Sequence, residues 1–219
     1  MPGTPPLGPA RHISAYLKVP LSRSASLLCA LALVVAVLAV AAGPARAQAA
    51  APCPSASSTV GSAPPAAVRE AVSCLVAQIR ADRGLAPLSR SAALEAAAER
   101  HGADMVARRY FAHVSPTGGT LDKRARRAGY LTGPCWVLGE DLGSAPPSVA
   151  SAQAVVDAWM DSPSHRAVIL DRRFRELGIG IVGGAAPGGA GATFVLELGV
   201  VQCGAAPRAA GIRARIRVS

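Results

Sequence analysis

Residues 27–42 form an unbroken apolar run, preceded by Arg11, Lys18 and Arg23 without any acidic residue, and stopped by Gly43-Pro44. Such a run needs either a membrane or a folded partner, so its fate decides which residues can build a domain. At 16 residues it is shorter than the roughly 20 that a spanning helix requires. Ala45-Arg46-Ala47 follows, a small-x-small site before Gln48. Basic region, apolar region and cleavable site stand in the order of a secretory leader. Residues 1–47 are therefore expected to be a signal peptide and the protein to be secreted. The alternative is an uncleaved signal-anchor that tethers the protein to a membrane.

Export fixes how the cysteines are read. Cleavage removes Cys29 and leaves Cys53, Cys74, Cys135 and Cys203. An even number outside the cell predicts two disulfides. Of the three pairings, Cys53–Cys74 and Cys135–Cys203 are expected. The first would pin an N-terminal arm to the first helix, the second would tie a central loop to the last strand. There is no C-x-x-C pair, which argues against a structural zinc site built from thiolates.

Charge narrows the partners. The leader carries four of the 23 basic residues, leaving 19 against 13 acids. Four of these lie in a tail, as Arg208, Arg213, Arg215 and Arg217, so the body is only mildly basic. Aromatic residues make up 4%, and no stacking platform accompanies the positive charge, so no nucleic acid is expected as a partner. The tail is expected to be a solvated end, with contact to an anionic envelope surface as its alternative.

Residues 48–65 are rich in Ala, Pro and Ser and read as an arm. A single domain is expected over residues 66–204, followed by the basic tail 205–219. Val68, Val72, Leu75, Val76 and Ile79 make one helical stripe that ends at Gly84. Ser91 is placed to cap a second helix whose inner face carries Leu94, Ala98, His101 and Met105. Pro and Gly forbid regular structure over residues 112–119. A short basic helix is expected at 121–128 and a further one at about 149–160. Residues 135–142 run towards a Ser- and Pro-rich loop, with Glu140 in a Gly-Glu-Asp turn, and residues 162–166 read as another turn. Residues 177–182 and 193–201 read as strands joined by a Gly/Ala/Pro loop. Helices first and a hairpin last predict an α+β fold with an antiparallel sheet.

Three histidines remain after cleavage, His101, His113 and His165. His101 lies on the apolar face of its helix and is expected to be a hydrogen-bonded core residue. His113 and His165 lie in loop-like surroundings, with Glu140 between them in sequence. Imidazole nitrogen and carboxylate oxygen suit zinc, and they can also exchange a proton. No H-E-x-x-H helix is present, so the zincin arrangement is excluded. The same three side chains can equally form a buried hydrogen-bond network that pins loops.

Short motifs in a fixed order add a resemblance. They are Ile79-Arg80 with Gly84-Leu85-Ala86-Pro87-Leu88; Phe111-Ala112-His113-Val114-Ser115-Pro116; Arg124 with Ala128-Gly129-Tyr130; Gly139-Glu140; Ala158-Trp159-Met160; Ser162-Pro163-Ser164-His165-Arg166; and Phe174 with Gly178-Ile179-Gly180. In this order the chain resembles the CAP superfamily of cysteine-rich secretory, antigen 5 and pathogenesis-related proteins, in its bacterial SCP-like form. The resemblance implies a three-layer α-β-α sandwich with a small antiparallel sheet, and a cleft. In eukaryotic members two His and two acidic residues of that cleft can hold a divalent cation. By motif, His113 and Glu140 match the first histidine and glutamate, and His165 matches the bacterial histidine. Ser162 stands where the second glutamate would be, and the late histidine has no counterpart near Phe194. Glu197, on the last strand, is a candidate for an additional carboxylate. The expected cleft is therefore His113, Glu140, His165, Ser162 and Glu197, with His113, Glu140 and His165 as candidate ligands for zinc or another divalent cation.

These expectations leave three functions open. The first is a secreted, monomeric, non-enzymatic binding module for a small-molecule, lipid or cell-wall ligand, with no cofactor certain. The second is a metal-dependent hydrolase using His113, Glu140 and His165. The third is a structural cell-wall-associated protein held by its basic tail.

Overall fold

A computed structural model of the protein describes residues 51–202 and 215–218. The leader, most of the basic tail and the Cys135–Cys203 pairing, which depends on Cys203, lie outside the described residues. In chain order the elements are α1 (Pro65–Ala81), β1 (Ser89–Arg90), α2 (Ala92–Arg108), α3 (Leu121–Arg127), β2 (Trp136–Ala145), α4 (Ala152–Asp161), α5 (Pro163–Ile169), β3 (Glu176–Gly183), β4 (Ala192–Val201) and β5 (Arg215–Val218).

The strands form one sheet in the order β1-β3-β4-β2-β5. Its centre, β3-β4-β2, is antiparallel as expected. Its flanks are not: β1 pairs parallel with β3, and β5 pairs parallel with β2. The sheet is thus mixed. Within the tail, Arg215–Val218 adds a strand beside β2.

Period-two alternation sorts the strand residues between two layers of helices. Leu177, Ile179, Ile181, Phe194, Leu196 and Leu198 join the main apolar cluster with α1 and α4. The stripe predicted for α1 supplies Val68, Val72, Leu75 and Val76 to this cluster. On the opposite face α2 lies against β3 and β4. Gly178 and Gly180 make this approach possible: a Cβ on Gly178 would stand 2.1 Å from the Glu95 backbone nitrogen. A Cβ on Gly180 would stand 2.5 Å from the Ala98 carbonyl carbon. Smaller clusters around Leu94, Leu121 and Leu138, and around Ala98, Met105 and Val195, fill this side. Helices on both faces of the sheet give the expected three-layer sandwich.

Local signals explain several boundaries. The Ser91 hydroxyl accepts a hydrogen bond from the Leu94 amide at 3.4 Å and starts α2, as the sequence predicts. Ser151 does the same for Ala154 at 3.2 Å, so α4 starts later than the periodicity alone suggested. Cys53 and Cys74 form the expected disulfide. Two expected turns are regular structure instead. Residues 163–166 form the start of α5, with Ser162 as its N-cap and Pro163 at its first position, where a missing amide hydrogen costs nothing. Residues 136–145 form a ten-residue strand, which places Glu140 in mid-strand. Gly139 and Gly143 hide the strand pattern because they receive side chains rather than supply them. A Cβ on Gly139 would stand 2.6 Å from the Phe174 ring, and one on Gly143 would stand 2.5 Å from Val155.

Candidate functional site

The register of β2 and β4 puts Glu140 directly opposite Glu197. Directly paired residues project to one side of a sheet, so two carboxyl groups enter the α2/α3 layer together. Both are 0% exposed. The arrangement is tolerable because Arg124 of α3 lies between them. Its Nη2 donates to Glu140 Oε2, and its Nε stands 3.7 Å from Glu197 Oε1, an ion-pair distance too long for a hydrogen bond. Arg124 Nη1 also donates to the carbonyls of His113 and Gly119, each at 2.9 Å, so the same guanidinium closes the 113–119 loop over the sheet. His113 Nδ1 donates to the other Glu140 oxygen at 2.8 Å.

The two glutamates differ in charge because they differ in partners. Burial pushes the Glu140 carboxyl up, but the His113 hydrogen bond and the Arg124 charge together outweigh it and hold it below the usual carboxylate range. Burial pushes Glu197 well above that range, and the Glu140 charge pushes it further, against the pull of Arg124. Among the described residues neither Glu197 oxygen has a hydrogen-bond partner. The two carboxyls are thus pushed in opposite directions, Glu140 towards the ionised form and Glu197 towards the neutral acid.

His101, 1% exposed, belongs to the same layer, as expected for a core residue. Its Nε2 meets the Ala112 carbonyl at 3.1 Å, and the Tyr110 hydroxyl lies 3.5 Å from its Nδ1. Burial lowers its pKa, so the ring is neutral around neutral pH.

Residues 75–198 match a family model described as the cysteine-rich secretory protein family, CAP. The chain belongs to the CAP family. It is 33% identical over 105 residues to the protein YkwD of Bacillus subtilis, covering 47% of this chain and 38% of that protein. The chain thus spans well under half the length of that relative. A crystal structure of an extracellular protein containing a SCP domain, from Bacillus anthracis, superposes with a TM-score of 0.50 at 24% identity. That match covers 64% of this chain and 44% of the other, and it bears on the fold alone. An outer surface protein of Borrelia burgdorferi gives a TM-score of 0.49 at 21% identity, over 58% of this chain and 88% of that one.

Within this CAP domain the contacts of the expected cleft residues can be followed one by one. His113, Glu140 and Glu197 meet through Arg124. Ser162 and His165 line a groove of about 420 Å3 formed with Phe111, Leu142, Val149, Val155 and Trp159. Among the described residues no group of three or more His, Cys, Asp or Glu side chains is placed to share an ion. Arg124 and His113 already occupy the two oxygens of Glu140, and a bound cation would face the guanidinium. The donor set His113, Glu140 and His165 does not fit a divalent cation here.

Arg124 is the residue that the reading by chemistry missed, although it stood among the family motifs. A signal existed: Leu121, Arg124 and Ala125 share one helical face, and a cation on an apolar stripe requires a buried acceptor.

Proposed function

We propose that this protein is a secreted, non-enzymatic binding module whose groove takes an apolar ligand such as a lipid acyl chain. The observation that carries this reading is the groove of about 420 Å3 at the end of β2. Phe111, 41% exposed, and Val149, 51% exposed, stand on it as large apolar side chains open to water. Trp159 forms part of its wall and is held by a 2.9 Å hydrogen bond from Nε1 to the Leu142 carbonyl, so the wall is preformed. The His113–Glu140–Arg124 group supports a structural role beside it: its carboxylate is fully engaged, and it ties a loop, a helix and a strand together. Secretion rests on the leader-like residues 1–47 and agrees with the extracellular character of the Bacillus anthracis neighbour. No helix among the described residues is long and apolar enough to cross a membrane.

The test is a titration of the secreted protein with a fluorescent long-chain fatty acid. Saturable binding is expected, weakened about tenfold or more when Val149→Lys puts a charge at the groove, since unpaired burial of an ammonium is costly. Absence of saturable binding, or equal binding by a folded Val149→Lys variant, overturns the reading.

A further inference from the structure

A second cavity, of about 450 Å3, opens between α2, α3 and the 113–119 loop. Its charged lining is one-sided. Arg100 comes from α2, and Lys123, Arg124 and Arg127 come from α3, against a single acid, Asp104. Asp104 is already engaged, accepting from the Tyr110 hydroxyl and standing 3.7 Å from Arg108 Nη1. Among the described residues, no carboxylate reaches Arg100, Lys123 or Arg127 within ion-pair distance. Lys123 donates to the Gly118 carbonyl at 3.0 Å, which holds it at the rim.

We propose that this cavity is a phosphate-binding site, distinct from the apolar groove and independent of its ligand. The cations converge on it from two helices. Basic residues at the end of α3 favour the negative end of that helix, but this does not explain Arg100, which approaches from α2. Arg124 lines the cavity from within the core, at 8% exposure, and its Nε makes no hydrogen bond. The loop contributes neutral donors. Ser115 and Thr117 bring two hydroxyls into the lining, 3.2 Å apart. Gly119 keeps the Arg127 guanidinium close to the loop: Arg127 Nη2 lies 3.7 Å from where a Cβ on Gly119 would be, and that Cβ would crowd the Ser115 hydroxyl at 2.7 Å.

The ligand class follows from charge and shape. Guanidinium groups bind phosphate oxygens in forked pairs, and an ammonium adds a point charge. Three cations with no carboxylate within ion-pair distance suit a dianionic phosphate group better than a single carboxylate, although Arg100 also acts on the buried Glu197 from further away. The volume falls within the roughly 300–1,000 Å3 of small-molecule sites, so a phosphate ester fits as well as free phosphate. No Phe, Tyr or Trp lines the cavity, which removes the stacking surface that a single-stranded nucleic acid would use.

Calorimetric titration of the secreted protein at constant ionic strength tests this, with inorganic phosphate and glycerol 3-phosphate as separate probes and chloride as the blank. Saturable binding of at least one probe is expected. The exposed pair Arg100→Gln with Arg127→Gln is expected to weaken it about tenfold or more, with an unchanged unfolding midpoint. Lys123→Gln, at an exposed position, provides a second variant with a smaller loss in the same direction. Tighter binding of glycerol 3-phosphate points to an esterified source, and equal or tighter binding of inorganic phosphate points to the free ion; both support the site. Two results overturn it: no binding of either probe above the chloride blank up to about 10 mM, or affinities unchanged in the folded double variant.

Discussion

Each outer layer of this sandwich is tied by one buried arginine among the described residues, and the two do different work. Arg80, at the end of α1, is 0% exposed and donates only to backbone carbonyls. Its acceptors are Ala86 at 3.1–3.2 Å, Ile169 at 2.7 Å and Asp171 at 3.0 Å. Arg124 also holds carbonyls, but its remaining hydrogen bond goes to Glu140, and a second carboxyl group lies beside it. One arginine is a brace between backbone segments. The other is a brace whose strength depends on protonation. Buried cations of similar burial thus contribute in different ways, according to whether their acceptors titrate.

Replacing each arginine by Met separates them, and this is the largest expected effect. Arg124→Met leaves Glu140 ionised and buried with His113 alone, and such unpaired charges cost about 3–5 kcal/mol. Glu140 has a depressed folded pKa, so its interaction is fully present above the unfolded carboxylate value and is lost as pH falls through the folded value. The cost of Arg124→Met is therefore greatest at neutral pH and shrinks in acid. Arg80→Met leaves three carbonyls unsatisfied, at about 1 kcal/mol or more each, and its cost stays nearly flat over the same range. Urea unfolding of both variants across this range checks the contrast, which fails if the two costs run parallel.

The layers also differ in how they touch the sheet. Side chains such as Phe174 and Val155 fill Gly139 and Gly143 on the Arg80 side, whereas on the Arg124 side the α2 backbone rides directly on Gly178 and Gly180. Adding a methyl group at Gly178 meets backbone, which cannot rotate away. Gly178→Ala is expected to destabilise the fold by about 1–3 kcal/mol through overpacking. It would also shift α2 enough to loosen the His101–Ala112 contact, visible as faster amide exchange over residues 110–113.

Much of this architecture was legible in the sequence. The α1 stripe, the Ser91 cap, the Cys53–Cys74 bridge and the β3–β4 hairpin all follow from local chemistry and periodicity. The motif order carried the family and brought His113 and Glu140 forward. What failed had a shared cause: the sequence does not display partners that arrive from elsewhere in the chain. Glu140 looked like part of a turn because Gly139 and Gly143 lack side chains of their own. Glu197 was the reverse case, a guess from strand position that the cross-strand register placed opposite Glu140. Neither the upward push on its carboxyl nor the Arg124 bridge could be read before that register was known.

Glu197 gives the smallest effect and the sharpest test of the titrating brace. Its folded pKa is raised, so the folded state retains a proton that the unfolded chain releases, and stability falls as pH rises above the unfolded value towards the folded one. Glu197→Gln keeps the shape, removes the titration and cannot repel Glu140. It is expected to stabilise the protein by about 1 kcal/mol at neutral pH, at the low end for replacing a buried ionisable group. The gain should disappear in acid, where Glu197 is neutral in both states. Thermal unfolding of the two proteins across pH measures this. A loss of stability at neutral pH would mean that Glu197 is ionised and paired with Arg124, and that Arg124 holds two charges rather than one.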